Sequence, residues 1–174
     1  MRKRVAYLGF LILAAAAVTA LAQERRVSRA EELGNRPIEI SSDRLSADSV
    51  KNSVSFEGNV VAKQGDVTLH ADRVFAEYTR GAVVIEKIIA EGNVRVTQED
   101  REARAGRAVF YNLEQRIVLS GDAGLIQGGN TVKGETVTIY LREKRSVVTG
   151  GEGGRVRAVI QPKGLPEAKE KPAP

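Results

Sequence analysis

A short phrase recurs along this chain, and its period limits what the chain can fold into. Phe56-Glu57-Gly58-Asn59-Val60, Ala90-Glu91-Gly92-Asn93-Val94 and Leu119-Ser120-Gly121-Asp122-Ala123 are copies of it, and Val148-Thr149-Gly150-Gly151 is a worn fourth. The glycines at 58, 92, 121 and 150 lie 34, 29 and 29 residues apart. Gly followed by Asn or Asp tolerates the positive φ of tight turns and bulges, and each copy sits between strand-like runs. A period of about 30 residues marks a repeating β unit that buries its apolar face only against its neighbours.

The rest of the chain from Ile38 to Ile160 alternates apolar with polar residues. Val54/Phe56, Val67/Leu69, Val83/Ile85, Val94/Val96, Ile117/Leu119, Val137/Ile139 and Val156/Ala158/Ile160 follow the period of two that belongs to half-buried strands. The breaks are short and hold no crossover helix, so the pairing is expected to be antiparallel. The parity of the alternation switches inside the repeats. Val67, Leu69 and Ala71 are followed by Val74, Ala76 and Tyr78, a switch across Asp72-Arg73. The same switch falls across Asp43-Arg44, Gly106-Arg107 and Glu135-Thr136. One extra residue in a strand is a bulge, and a bulge bends it. Bends at matching places predict an all-β, antiparallel sheet folded over on itself, with two apolar inner faces. A parallel β-helix ranks second, because it needs shorter coils and stacked identical ladders.

Both ends differ from this middle. Arg2, Lys3 and Arg4 precede an apolar run, and Ala20-Leu21-Ala22 closes it, which is the layout of a secretory signal peptide over residues 1–22 cut after Ala22. An uncleaved anchor is the rival reading, since the 18 residues from Val5 to Ala22 reach the lower limit of a membrane span. Residues 23–36 read as a flexible lead-in with a short helical turn, 37–160 as the β domain, and 161–174 as a disordered tail rich in Lys, Glu, Ala and Pro. The formal charge of +5 falls to +2 once Arg2, Lys3 and Arg4 leave with the signal. No basic block remains, which argues against a nucleic-acid partner.

Catalytic chemistry has little to work with. The chain has one His and no Cys, and its acidic residues collect at turns. No spacing suggests an acid–base pair or a metal site, so no cofactor, no metal and no enzymatic activity are expected. His70 alternates onto the polar side. The candidate site is the inward apolar face, made of Ile38, Ile40, Val54, Phe56, Val60, Val67, Leu69, Val74, Tyr78, Val94, Val96, Ala105, Phe110, Ile117, Leu119, Val137 and Ile139. Many further inward positions are small, among them Ala62, Ala71, Ala76, Ala90, Ala103 and Ala108. Such faces either approach closely or leave an apolar gap suited to acyl chains. The first strand (38–45) and the last (155–160) hold no internal Pro, so both edges can accept a partner strand. A last-to-first contact is heterologous and builds open filaments.

Ile38-Glu39-Ile40-Ser41-Ser42-Asp43-Arg44-Leu45, the Glu-Gly-Asn-Val phrases, Ala71-Asp72-Arg73-Val74 and Gly150-Gly151-Glu152-Gly153-Gly154-Arg155-Val156 resemble, in order and spacing, the OstA-like family of periplasmic lipopolysaccharide-transport proteins. The resemblance covers Pro37 to Ile160. It implies an antiparallel β-jellyroll, V-shaped and open along one side, in the periplasm of a Gram-negative cell. It implies a carrier that shields lipopolysaccharide acyl chains (those of lipid A) and bridges inner and outer membranes by head-to-tail stacking. The partners it implies are the related β-jellyroll domains of inner- and outer-membrane transport components. The family has no catalytic motif, so the residues above carry over only as inward, lipid-binding strand positions. Asp122-Ala123-Gly124 departs from the Asn-Pro that relatives commonly carry. Two other readings stand beside this one: a membrane-anchored member of the same pathway, and a structural β-repeat protein that carries no ligand.

Overall fold

The structure, a computed structural model, describes residues 36–80 and 84–162. The expected signal peptide, the lead-in up to Asn35, Val83 and the tail from Lys163 lie outside the described residues. Within them the chain is all-β. The strands are β1 (Glu39–Ser41), β2 (Arg44–Asp48), β3 (Ser53–Gln64), β4 (Val67–Tyr78), β5 (Ile85–Gln98), β6 (Arg101–Tyr111), β7 (Arg116–Gln127), β8 (Asn130–Tyr140), β9 (Arg145–Thr149) and β10 (Arg157–Val159). They form one antiparallel sheet in the order β1-β3-β4-β5-β6-β7-β8-β10, with β2 also on β3 and β9 also on β8. The first and last strands are therefore shorter than the alternation predicts. The segment 38–45 breaks at Ser42-Asp43, and only Arg157–Val159 of 155–160 pairs.

Three of the long strands are bent by an inserted residue, and the insertion is not where the parity switches put it. Glu57 pairs with Arg73 and Val60 with Ala71, so Gly58-Asn59 of β3 face Asp72 alone. In the same way Gly92-Asn93 of β5 face Gly106, and Gly121-Asp122 of β7 face Glu135. The extra residue belongs to the odd strands, opposite the switch in each even one. The reason lies in the backbone. Both residues of each pair are left-handed, with φ of 77° and 48°, 74° and 49°, and 78° and 52°. Two such residues in succession turn the strand without moving its side chains to the other face, so Phe56 and Val60 both stay inward. The even strand crosses the same corner with one residue fewer and changes parity.

Side chains lock the first two corners. Asn59 Nδ2 donates to Asp43 Oδ2 at 2.8 Å, and Asn93 Nδ2 donates to Asp72 Oδ2 at 2.9 Å. A Cβ on Gly58 or Gly92 would collide with those same carboxylates. At the third corner Asp122 stands where the others have Asn, and Gly106 stands where the preceding corner strand has Asp72. An Asp in place of Gly106 would set two carboxylates together, so the two exchanges suit one another.

The corners divide the sheet into two arms, each eight strands deep. The first arm holds β1, β10 and the halves 60–64, 67–71, 94–98, 101–105, 123–127 and 130–134. The second holds β2, β9 and the halves 53–57, 73–78, 85–91, 107–111, 116–120 and 136–140. At a strand spacing of about 4.8 Å, eight strands span roughly 34 Å. Inward residues of both arms join in one apolar cluster that runs from Val60 to Leu141.

Candidate functional site

Register places the inner faces in rows that cross every strand. On the first arm Ile40, Ala62, Leu69, Val96, Ala103, Leu125, Val132 and Ala158 are successive partners. On the second arm one row runs Leu45, Phe56, Val74, Ala90, Ala108, Leu119, Val137, Val148. A parallel row runs Ala47, Val54, Ala76, Ile88, Phe110, Ile117, Ile139, Ser146. All three rows lack ionisable groups and end at the two edges of the sheet.

The predicted inward residues divide by their place along these rows. Val60, Val67, Val74, Val94, Val96, Ala105, Phe110, Ile117, Leu119, Val137 and Ile139 are buried, and they all lie on β3–β8. Ile38, Val54, Phe56, Leu69 and Tyr78 are half-buried. Ile40 keeps its inward row and is 38% exposed, because β1 has a neighbour on one side only. Leu45, at the same edge, is 59% exposed. Between the edge strands the interior is closed, with Val60 of β3, Leu119 of β7 and Val137 of β8 fully buried, while Ile40 and Leu45 on the first edge are open to solvent.

Several interior residues escape the sequence reading. Ile88 is buried because Glu77/Tyr78 pair with Lys87/Ile85, so Glu86 is a further insertion that resets the alternation. The run Ile88-Ile89-Ala90 is ambiguous without that pairing. Ala123 and Leu141 also join the cluster. Val109 is buried on the outer face, in an apolar row with Phe75, Ile89 and Val118. Long side chains on the flanking rows cover it. On one side Arg73 and Arg107 reach Glu91 at 3.9 and 3.1 Å, and on the other Lys87 reaches Glu77 at 2.9 Å and the Arg116 guanidinium lies 4.3 Å over the Tyr111 ring. The corner cations Arg73 and Arg107 are thus held in a cross-strand charge ladder with Glu57 and Glu91.

Apart from Arg101 at the tip of the first arm, the charged chemistry described below lies outside the interior. On the outer face of the first arm, hydrogen bonds from Arg95 and then Arg104 hold the Glu102 carboxyl below its usual range. His70 is exposed on that same face. Among the described residues no group of three or more His, Asp or Glu side chains is placed to hold a metal ion. What the arrangement offers is a long apolar interior between two hinged walls, continuous with exposed apolar residues at each end.

The chain matches the model of the LptA/(LptD N-terminal domain) LPS transport protein family over residues 39–145. It is 31% identical over 143 residues to the lipopolysaccharide export system protein LptA of Escherichia coli K12, covering 79% of this chain and 77% of that protein. It is 26% identical over 175 residues to LptA of Haemophilus influenzae, covering 97% and 96%. The crystal structure of LptH, the LptA-homologous periplasmic component of the lipopolysaccharide transport device of Pseudomonas aeruginosa, superimposes with a TM-score of 0.63 at 22% identity, covering 73% of this chain and 96% of that one. That likeness extends the β-jellyroll fold to the present chain. The match over β1 to β8, together with the identity to the Escherichia coli protein, shows that this chain belongs to the LptA/LptD N-terminal domain family of lipopolysaccharide-transport proteins.

Proposed function

We propose that the protein is a periplasmic carrier for lipopolysaccharide, holding its acyl chains between the two arms and passing them along stacked copies. The observation that carries this reading is the set of largely apolar rows that each cross eight strands and reach both edges of the sheet, exposed at Ile40, Leu45 and Ala158. Each methylene leaving water gains about 0.8 kcal/mol, so a lipid with several acyl chains loses tens of kcal/mol if it crosses water unshielded. An apolar interior removes most of that barrier without holding the lipid more tightly than a bilayer does. The closed middle fits the same scheme. As the arms part at their Gly-Asn corners, contacts between the inner faces are exchanged for contacts with hydrocarbon, and no sheet hydrogen bond has to break. On this reading residues 1–22 direct export and are cut away, and residues 37–160 form the carrier domain.

Topology supports stacking. β10 and β9 run opposite to β1 and β2, and β10 and β1 belong to the first arm while β9 and β2 belong to the second. A second copy placed on the last edge therefore continues both arms in antiparallel pairing. The row ending in Ala158 meets Ile40 of the next copy, and the row ending in Val148 meets Leu45. The chain has no Cys, so a copy carrying Ile40→Cys mixed with one carrying Ala158→Cys should give a disulfide-linked pair.

The function itself is tested by retention of lipopolysaccharide on the purified chain through gel filtration. Leu69 is half-buried on the inner row, and Leu69→Asp should abolish retention while the sheet stays folded. Retention unchanged by this variant contradicts the carrier reading. A structural β-repeat without ligand is the second reading, favoured by the full burial of Val60, Leu119 and Val137 on β3, β7 and β8.

A further inference from the structure

The tip of the first arm breaks the apolar pattern of its own inner face. Two residues beyond the row of Ala62, Leu69, Val96, Ala103, Leu125 and Val132, alternation brings the next inward positions: Gln64, Val67, Gln98, Arg101, Gln127 and Asn130. They too are successive cross-strand partners, so the lip of this arm is a polar row with Val67 as its one apolar member. Three of the five polar residues are glutamines.

Ordinary packing does not account for this row. Gln64 is only 3% exposed, and its Oε1 has no hydrogen-bond partner, although its Nε2 donates to the Arg36 carbonyl at 3.1 Å. A buried carboxamide oxygen without a partner is unfavourable, and an apolar residue of the same size would avoid it. Gln98 and Gln127 are half-buried on the same row. Gln98 Nε2 has only long contacts of 3.4 and 3.5 Å to the Asp66 carboxylate. Asn130 is already engaged, accepting from the Gln161 backbone at 2.8 Å.

We infer that Gln64, Gln98 and Gln127, which share their row with the single cation Arg101, form a hydrogen-bonding lip of carboxamides for the amide and ester carbonyls and the hydroxyls at the junction between acyl chains and a polar head. This rests on the carrier reading above. An amphiphile lying in a V-shaped trough places its chains toward the corner and its first polar atoms at the lip. Carboxamides both donate and accept, so they suit carbonyls and hydroxyls alike. Being uncharged, they hold those groups weakly enough for the lipid to slide from one strand to the next. The lip fixes how deep the chains sit, and the apolar rows hold the chains themselves.

The experiment compares two probes on the full exported chain. One is lipopolysaccharide. The other is diphenylhexatriene, a fluorescent hydrocarbon with no polar atom. The triple variant Gln64→Leu, Gln98→Leu, Gln127→Leu should lose about ten-fold in affinity for lipopolysaccharide, in keeping with lost neutral hydrogen bonds, and keep its affinity for diphenylhexatriene. The double variant Gln98→Leu, Gln127→Leu leaves the buried Gln64 in place and should show a smaller loss of the same kind, which guards against a folding defect in the triple. Equal losses for both probes, or none for either, overturn the lip while leaving the carrier intact. A wild-type chain that binds neither probe overturns the carrier reading, and the lip with it.

Discussion

The two arms are halves of the same strands, yet they are filled differently. The buried inward positions of the first arm between lip and corner are small (Val60, Ala62, Ala71, Val94, Val96, Ala103, Ala105 and Ala123), with Leu69 and Leu125 half-buried beside them. The second arm mixes small buried residues (Val74, Ala90, Ala108 and Val137) with the large Ile88, Phe110, Ile117, Leu119 and Ile139, and Leu141 follows at its end. Corners of the same backbone shape and matched register therefore produce one thinner wall and one thicker wall. The difference shows how a repeat can keep its backbone while sharing the interior volume unequally. The thicker wall holds the largest buried side chains, Phe110 and Leu119 among them.

That contrast is exposed to attack at several points. The largest effect belongs to the thick wall, where Phe110→Ala should cost about 3–5 kcal/mol in urea unfolding, through lost burial and the cavity left behind. On the thin wall the damaging change is enlargement. Ala103 is 1% exposed, and Ala103→Leu should cost about 1–3 kcal/mol by overpacking. A neutral result at Ala103 would mean that the arms do not press on one another there, and the contrast would fail. Between the walls, Gly92 has φ of 74° and lies against Asp72, so Gly92→Ala should cost about 1–2 kcal/mol from the left-handed backbone alone. Combining it with Asp72→Gly should recover the part due to the collision, because the third corner already pairs two glycines at Gly106 and Gly121.

The smallest effect lies on the outer face of the first arm. The Glu102 carboxyl is lowered by hydrogen bonds from Arg95 and Arg104, so its contribution is complete above the ordinary carboxylate range and is lost as pH falls through the lowered folded value. Glu102→Gln should flatten the acid side of the Tm-against-pH curve. At neutral pH the change should be no more than about 1 kcal/mol, since both guanidinium groups are largely in water. An unchanged acid limb would show that this ion cluster is idle.

Much of this was legible in the residues. The Gly-Asn phrases marked the corners, and the alternation at Val94/Val96, Ile117/Leu119 and Val137/Ile139 gave the inner face directly. The position of the extra residue was not legible, because a parity switch in β4 and a left-handed pair in β3 are two sides of one corner and only the pairing separates them. Ile88 and Val109 were hidden for a related reason. An inserted Glu86 resets the face for one, and flanking ion pairs cover the other from outside. The edge strands proved shorter than the alternation suggests. Ile40 has the right parity but only one neighbouring strand, and exposure at an edge depends on what is missing beside it. The unequal walls could be read as a list of alanines, but not as one wall facing another until the register was known.

The central claim, that acyl chains travel between the inner faces, is tested most directly by photocrosslinking in cells. A photoreactive residue replaces Phe56, Leu69 or Phe110 on the inner rows, and His70 on the outer face of the first arm serves as the control. The account predicts lipopolysaccharide adducts from the three inner positions and none from His70. Adducts from His70 with none from the inner positions would contradict it.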